Sequence, residues 1–95
     1  MPQLEASITA HEAVDTDPFI LASPAKLRKS LEIYNDTTQD LYVAKSETIA
    51  LDSFTVKLVP GAFLEMEQPY GKTVTGMFAA ADAGKYAMVT QTVVQ

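Results

Sequence analysis

His11 is the only histidine in the chain, so any Ser/His/Asp relay would have to use it as the base. No nucleophile motif such as G-x-S-x-G accompanies it. His11 is therefore expected at the surface or half-buried rather than in a catalytic or metal-binding role. The acids offer a second opening. Asp15 and Asp17, and likewise Glu65 and Glu67, stand two residues apart, and on a strand that spacing puts both carboxylates on one face. Paired acids can hydrolyse glycosides or bind Ca²⁺ through oxygen ligands. Neither pair lies in an EF-hand loop, so a solvated face or a protected sheet edge is the plainer reading. Cysteine is absent, which excludes disulfides and thiolate metal sites. Gly61, Gly71, Gly76 and Gly84 form neither G-x-G-x-x-G nor a P-loop. These residues point to no catalytic residue, no cofactor and no metal: a binding or structural module rather than an enzyme.

Charge narrows the partners. The net charge is −5, from 12 acidic and 7 basic residues, which argues against nonspecific nucleic-acid binding through clustered Lys and Arg. The one basic cluster, Lys26, Arg28 and Lys29, is expected to be a solvated strand edge or loop; a basic patch that meets an acidic partner is the alternative. No run of about 18 apolar residues is present, so no membrane span is expected. The start, MPQLEASITAHEAV, has neither the basic beginning nor the apolar centre of a signal peptide. Missing cysteines fit a cytoplasmic origin. Tyr34, Tyr42 and Tyr70 are expected to serve core and cross-strand packing; joint exposure as a platform for a sugar or a protein is the alternative.

The elements that must position these residues are strands. RKSLEIYNDTTQDLYV, residues 28–43, reads as a hairpin: Leu31 and Ile33 face one way, Ser30, Glu32 and Tyr34 the other, and Asn35 to Thr38 supply turn chemistry. In SFTVKLV, Phe54, Val56 and Leu58 share one face, and Pro60-Gly61 turns the chain afterwards. The full pattern predicts strands near 4–14, 18–23, 28–34, 40–45, 53–59, 62–67, 72–80 and 85–93. Short strands at such spacing indicate an all-β chain, a small antiparallel sandwich or partly open barrel of about seven or eight strands. QLEASITAHEAV could be helical by propensity, but Ser7-Ile8-Thr9 leans to β. Gly76 sits inside a strand pattern, which suggests a bulge or a close backbone approach. The expected core is Leu31, Ile33, Val43, Phe54, Val56, Leu58 and Phe78. Residues 20–95 are expected to form one sandwich domain, and residues 1–19 an N-terminal strand or arm able to reach a partner.

The order of these pieces adds something that periodicity does not. RKSLEIYND, then LYVAKS, then DSFTVKLVPGAFLEMEQPYGKTVTGMFAAADAGKYAMVTQ resembles a family of small bacteriophage virion structural proteins, over residues 20–91. The pieces that carry the resemblance are Ile33-Tyr34-Asn35-Asp36, Leu41-Tyr42-Val43 and Phe54 to Leu58 with Pro60-Gly61. Met77-Phe78 stands where the family has an Ile-Trp-like pair, and Ala44-Lys45-Ser46-Glu47 replaces a Gly-rich stretch. The resemblance implies a non-enzymatic virion protein, a capsid decoration or head accessory type on the outer head surface, made in the host cytoplasm. Its implied partners are the major capsid protein and other copies of itself, with neither nucleic acid nor membrane. A head–tail joining or tail-associated ring protein is the first alternative, and a carbohydrate-binding module the second.

Overall fold

The computed structural model describes residues 4–24, 28–66 and 72–94. Among them eight strands form: β1 (Leu4–Ala13), β2 (Phe19–Ala22), β3 (Arg28–Asp36), β4 (Leu41–Ala44), β5 (Val56–Leu58), β6 (Phe63–Met66), β7 (Val74–Phe78) and β8 (Asp82–Val94). They make two four-stranded antiparallel sheets, β1-β8-β3-β6 and β2-β7-β4-β5. The expected small all-β sandwich is the fold observed, and each expected strand overlaps one that forms. The period-2 pattern works because each sheet has one face toward the other, so alternate residues are removed from water.

The core lies between the sheets. Leu31, Ile33, Ala87 and Val89 from the first sheet meet Leu21, Leu41, Val43, Leu58, Val74 and Phe78 from the second. Leu31, Ile33, Val43, Leu58 and Phe78 are buried as expected, and Val56 packs against the core partly exposed. Gly76 is a close approach: a Cβ there would lie 2.8 Å from a Leu21 methyl and 3.0 Å from the tip of Phe19. Gly61 turns the chain with φ +80°, a conformation that favours glycine over any residue with a side chain.

The expected hairpin at residues 28–43 does not form. β3 pairs with β8 and β6, whereas β4 pairs with β7 and β5. The polar turn between them crosses from one sheet to the other. The cause is Asn35, which is fully buried. Its amide nitrogen donates to the carbonyls of Gln39 and Leu58, at 2.8 Å each. Its oxygen accepts from the Thr37 backbone N–H at 3.2 Å and from the Thr37 hydroxyl at 2.7 Å. The bond to Leu58 reaches into β5, so one side chain holds the arch and ties the two sheets.

Phe54 also departs from expectation. It is 42% exposed rather than core, because β5 begins only at Val56. The Thr55 hydroxyl accepts the Lys45 N–H at 2.9 Å while the Thr55 N–H donates to Val43 at 2.8 Å. Those bonds close the 45–55 loop and leave Phe54 lying edge-on against Tyr42, with ring centroids 4.9 Å apart. Phe54→Ala is therefore expected to cost about 1 kcal/mol, well below the roughly 3–5 kcal/mol of a core Phe→Ala change. Urea unfolding of Phe54→Ala beside Phe78→Ala measures the difference.

Candidate interaction surface

The two outer faces of the sandwich differ. On the second sheet, the 45–55 loop lies close to β7: Thr75 is buried and its hydroxyl donates to the Ser46 carbonyl at 3.1 Å, and Met77 is buried as well. On the first sheet, strand register lines up Ala10, Met88, Tyr34 and Phe63 directly across all four strands. Tyr34 is 40% exposed and Phe63 56%. The neighbouring rows are Ile8, Thr90, Glu32 and Glu65 on one side, and Glu12, Tyr86 and Asp36 on the other. Ile8 is 69% exposed and Tyr86 is also open to solvent. An aromatic and aliphatic row with carboxylates to either side is the arrangement of an interface patch, an apolar centre within a polar rim.

The other residues singled out in the sequence fall in different places. Tyr34 lies on the outer face of the first sheet, while Tyr42 belongs to β4 in the second sheet, opposite Lys57 and Met77. They do not share a platform, and Tyr70 lies outside the described residues. Asp15 and Asp17 form an exposed turn, in which the Asp17 N–H donates to Asp15 Oδ1 at 3.0 Å. Glu65 is on β6, and Glu67 lies outside the described residues. Among the described residues, no three His, Cys, Asp or Glu side chains group as a metal site.

The expected basic cluster is corrected at its centre. Arg28 is 2% exposed. Its Nε donates to Gln91 Oε1 at 2.8 Å, and its terminal nitrogens donate to the Lys72 carbonyl at 3.2 Å and to the Ser23 carbonyl. Arg28 is thus an internal tie between the sheets and no surface charge. Lys29 is exposed and Lys26 lies outside the described residues.

His11 is half-buried, as expected, at the seam where β1 faces β2. Its ring lies 5.2 Å from that of Phe19, which stacks in turn on Phe78 at 5.3 Å. Nε2 is buried with no hydrogen-bond partner among the described residues. A cleft of about 260 Å³ opens beside it, between Ser7 and Thr9 on one wall and Leu21 and Ser23 on the other. Desolvation lowers the His11 pKa from the ordinary 6.5, and a hydrogen bond with the Leu21 backbone opposes that in part. Asp82, whose carboxylate accepts the Thr38 N–H and hydroxyl at 2.8 Å each, is held below the ordinary 3.8 by those two bonds. Both folded-state values are depressed, so below each ordinary value the unfolded chain binds more protons. Melting temperature should therefore hold above pH 6.5, fall as pH drops through the His11 range, and fall again below pH 3.8. His11→Gln is expected to remove the first step and Asp82→Asn the second. A His11→Gln protein that still loses the same stability just below pH 6.5 would assign that step to another group.

Sequence reasoning found Tyr34 but missed Phe63, Met88 and Ile8 as its companions. Phe63 shares its strand face with Glu65, which marks it as outward, whereas Ile8 alternates with Ser7 and Thr9 as a core residue would, and only its register on β8 turns it out. What joins them into rows is the register between strands far apart in sequence, which alternation does not report.

No protein-family model matches the chain, and no curated protein sequence matches it. Among solved structures, the SPBc2 prophage-derived protein YomS is similar with a TM-score of 0.52 at 14% identity, covering 100% of this chain and 97% of that one. The Aeromonas hydrophila protein PliG, a periplasmic inhibitor of g-type lysozyme, aligns with a TM-score of 0.44 at 8% identity, over 99% of this chain and 88% of that one. At such identities, what the chain and YomS have in common is the fold: a small β-sandwich shared over essentially the whole length of both.

Proposed function

We propose that this chain is a non-enzymatic bacteriophage virion structural protein, a decoration protein bound to the outer surface of the head. The observation that carries the reading is the open row Ala10, Met88, Tyr34 and Phe63 across the first sheet. An open, apolar-centred face suits attachment to a shell better than enclosure of a small ligand. The prophage origin of YomS, which shares the fold, supports the setting, as does the sequence resemblance over residues 20–91. The net charge of −5 suits the outside of a particle that must stay dispersed. Partners in this reading are the major capsid protein and other copies of the chain, and repetition over a lattice turns a weak contact into firm attachment. The carbohydrate-binding alternative loses its platform, because Tyr34 and Tyr42 stand in different sheets.

Quantitative mass spectrometry of purified particles tests the reading. A decoration protein is expected at a ratio to the major capsid protein of about one to three up to one to one, following shell symmetry. A ratio near roughly one to fifty would instead place it in a ring at the vertex or tail. Absence from the particle would overturn the virion reading.

A further inference from the structure

Four edge strands bound the two sheets, and three of them are poor templates for further pairing. β2 has four residues and a register shift between Ile20 and Ala22. β5 has three residues, carries Lys57 and is followed by Pro60. β6 has four residues and carries Glu65 outward. Short length, irregular register and edge charge are the means by which sheets avoid adding strands. β1 is longer and more regular, although it carries Glu5 and Glu12 and shifts register after Glu12. It runs ten residues, its register on β8 is unbroken from Leu4 to Glu12, and it contains neither Pro nor Lys. Leu4 to Ala10 are exposed at every position, and among the described strands β8 is the one that pairs with them.

We propose that β1 is where two copies of this chain join, β1 to β1, antiparallel about a two-fold axis at Ile8. The two first sheets then become one eight-stranded sheet. A second copy fits better than an unrelated peptide because the strand is complementary to itself. Residues opposed in an antiparallel pair share a face, so their numbers must sum to an even value. The unbroken run Leu4–Glu12 has Ile8 at its midpoint, so centring there uses the whole run. Ile8 then meets the partner's Ile8, Ala6 meets the partner's Ala10, Ser7 meets the partner's Thr9, and Glu5 lies opposite the partner's His11. Neither Glu5 nor Glu12 faces another carboxylate across the pair, whereas registers centred on either glutamate would oppose like charges. The axis is perpendicular to the sheet, so the two outer rows end on the same side and form one wider apolar face.

This deepens the self-association part of the reading above, and its test needs no particle. The paired strands bury less than the roughly 800 Å² per partner of a standard interface, so weak association is expected. Sedimentation of the purified full chain over a concentration series should show a reversible shift from 10.3 kDa to twice that mass. Ile8→Lys, at an exposed position, sets two ammonium groups opposite each other and should leave only the 10.3 kDa species. Ile8→Cys gives an independent readout, since the chain has no other cysteine. Opposed residues in an antiparallel pair have Cα atoms about 4.5–5.5 Å apart, within disulfide reach. Oxidation should therefore cross-link Ile8→Cys far faster than Leu51→Cys, a comparably exposed site away from β1. A wild-type chain that stays monomeric at the highest concentration reached, a dimer that survives Ile8→Lys, or equal cross-linking of the two cysteine variants would each overturn the proposal.

Discussion

Asn35→Ala is expected to lower unfolding free energy by about 3–5 kcal/mol, a loss that a small domain scarcely survives. The size follows from what the change strands. In the native chain the Asn35 amide serves two carbonyls and its oxygen serves both donors of Thr37. Asn35 is fully buried and Thr37 nearly so, and a buried backbone group left without a partner costs roughly 1–3 kcal/mol. The Leu58 carbonyl is the most exposed to this loss, because its bond with Asn35 spans the two sheets. The expected melting-temperature drop is about 12–25 °C for a domain of this size. Thr37→Ala should cost less, since the Asn35 amide keeps both of its carbonyls. The double variant should lose less than the sum, because both changes remove the same bond between the Thr37 hydroxyl and Asn35 Oδ1. A loss below about 1 kcal/mol for Asn35→Ala would mean that the arch is held by its other bonds, such as Gly61 N–H to the Asn35 carbonyl.

That arch also shows where sequence reading stops. Alternation in RKSLEIY correctly separated buried Leu31 and Ile33 from outward Tyr34. It reports which residues share a face of one strand, and it carries no information on which sheet the strand joins. The polar residues of NDTTQD satisfy a hairpin turn and a sheet-to-sheet crossing equally well. The difference lies in the Asn35 bond to Leu58, 23 residues away. Phe54 failed for a related reason. Its sequence parity matches Val56 and Leu58, but the Thr55 hydroxyl takes up a backbone N–H before the ladder reaches it, and Phe54 packs on outward Tyr42 instead of sharing their core face. The candidate surface was legible in part: Tyr34 stood out as an outward aromatic, whereas the row it forms with Met88 and Phe63 depends on pairing across β8 and β6. A short polar stretch points to the surface, and Asp15 and Asp17 lie there, whereas Arg28 is drawn inside by its three acceptors.

Arg28→Ala is the second large loss expected, about 2–4 kcal/mol by the cost of leaving buried acceptors unpaired. The guanidinium sits at the start of β3 in the first sheet and donates to Gln91 of β8, to Lys72 just before β7 and to Ser23 just after β2. Two of those three acceptors belong to the flanks of the second sheet, so removing the side chain unties the sheets at that end of the sandwich. Arg28→Lys should recover little. One ammonium presents its donors from a single point, whereas these acceptors surround a planar fork and are met by Nε and both terminal nitrogens. Salt separates this account from the surface-patch reading of the same residue. A solvated arginine would matter little to folding, and its contribution to partner binding would fade as salt is raised. A guanidinium that is 2% exposed and bonded to carbonyls is screened much less, so the stability difference between wild type and Arg28→Ala should persist at high ionic strength. Unfolding measured at low and high salt, for wild type, Arg28→Ala and Arg28→Lys, decides the matter. A difference that vanishes with salt would return Arg28 to the surface, and a lysine variant as stable as wild type would show that charge alone, without the fork, holds this end of the sandwich together.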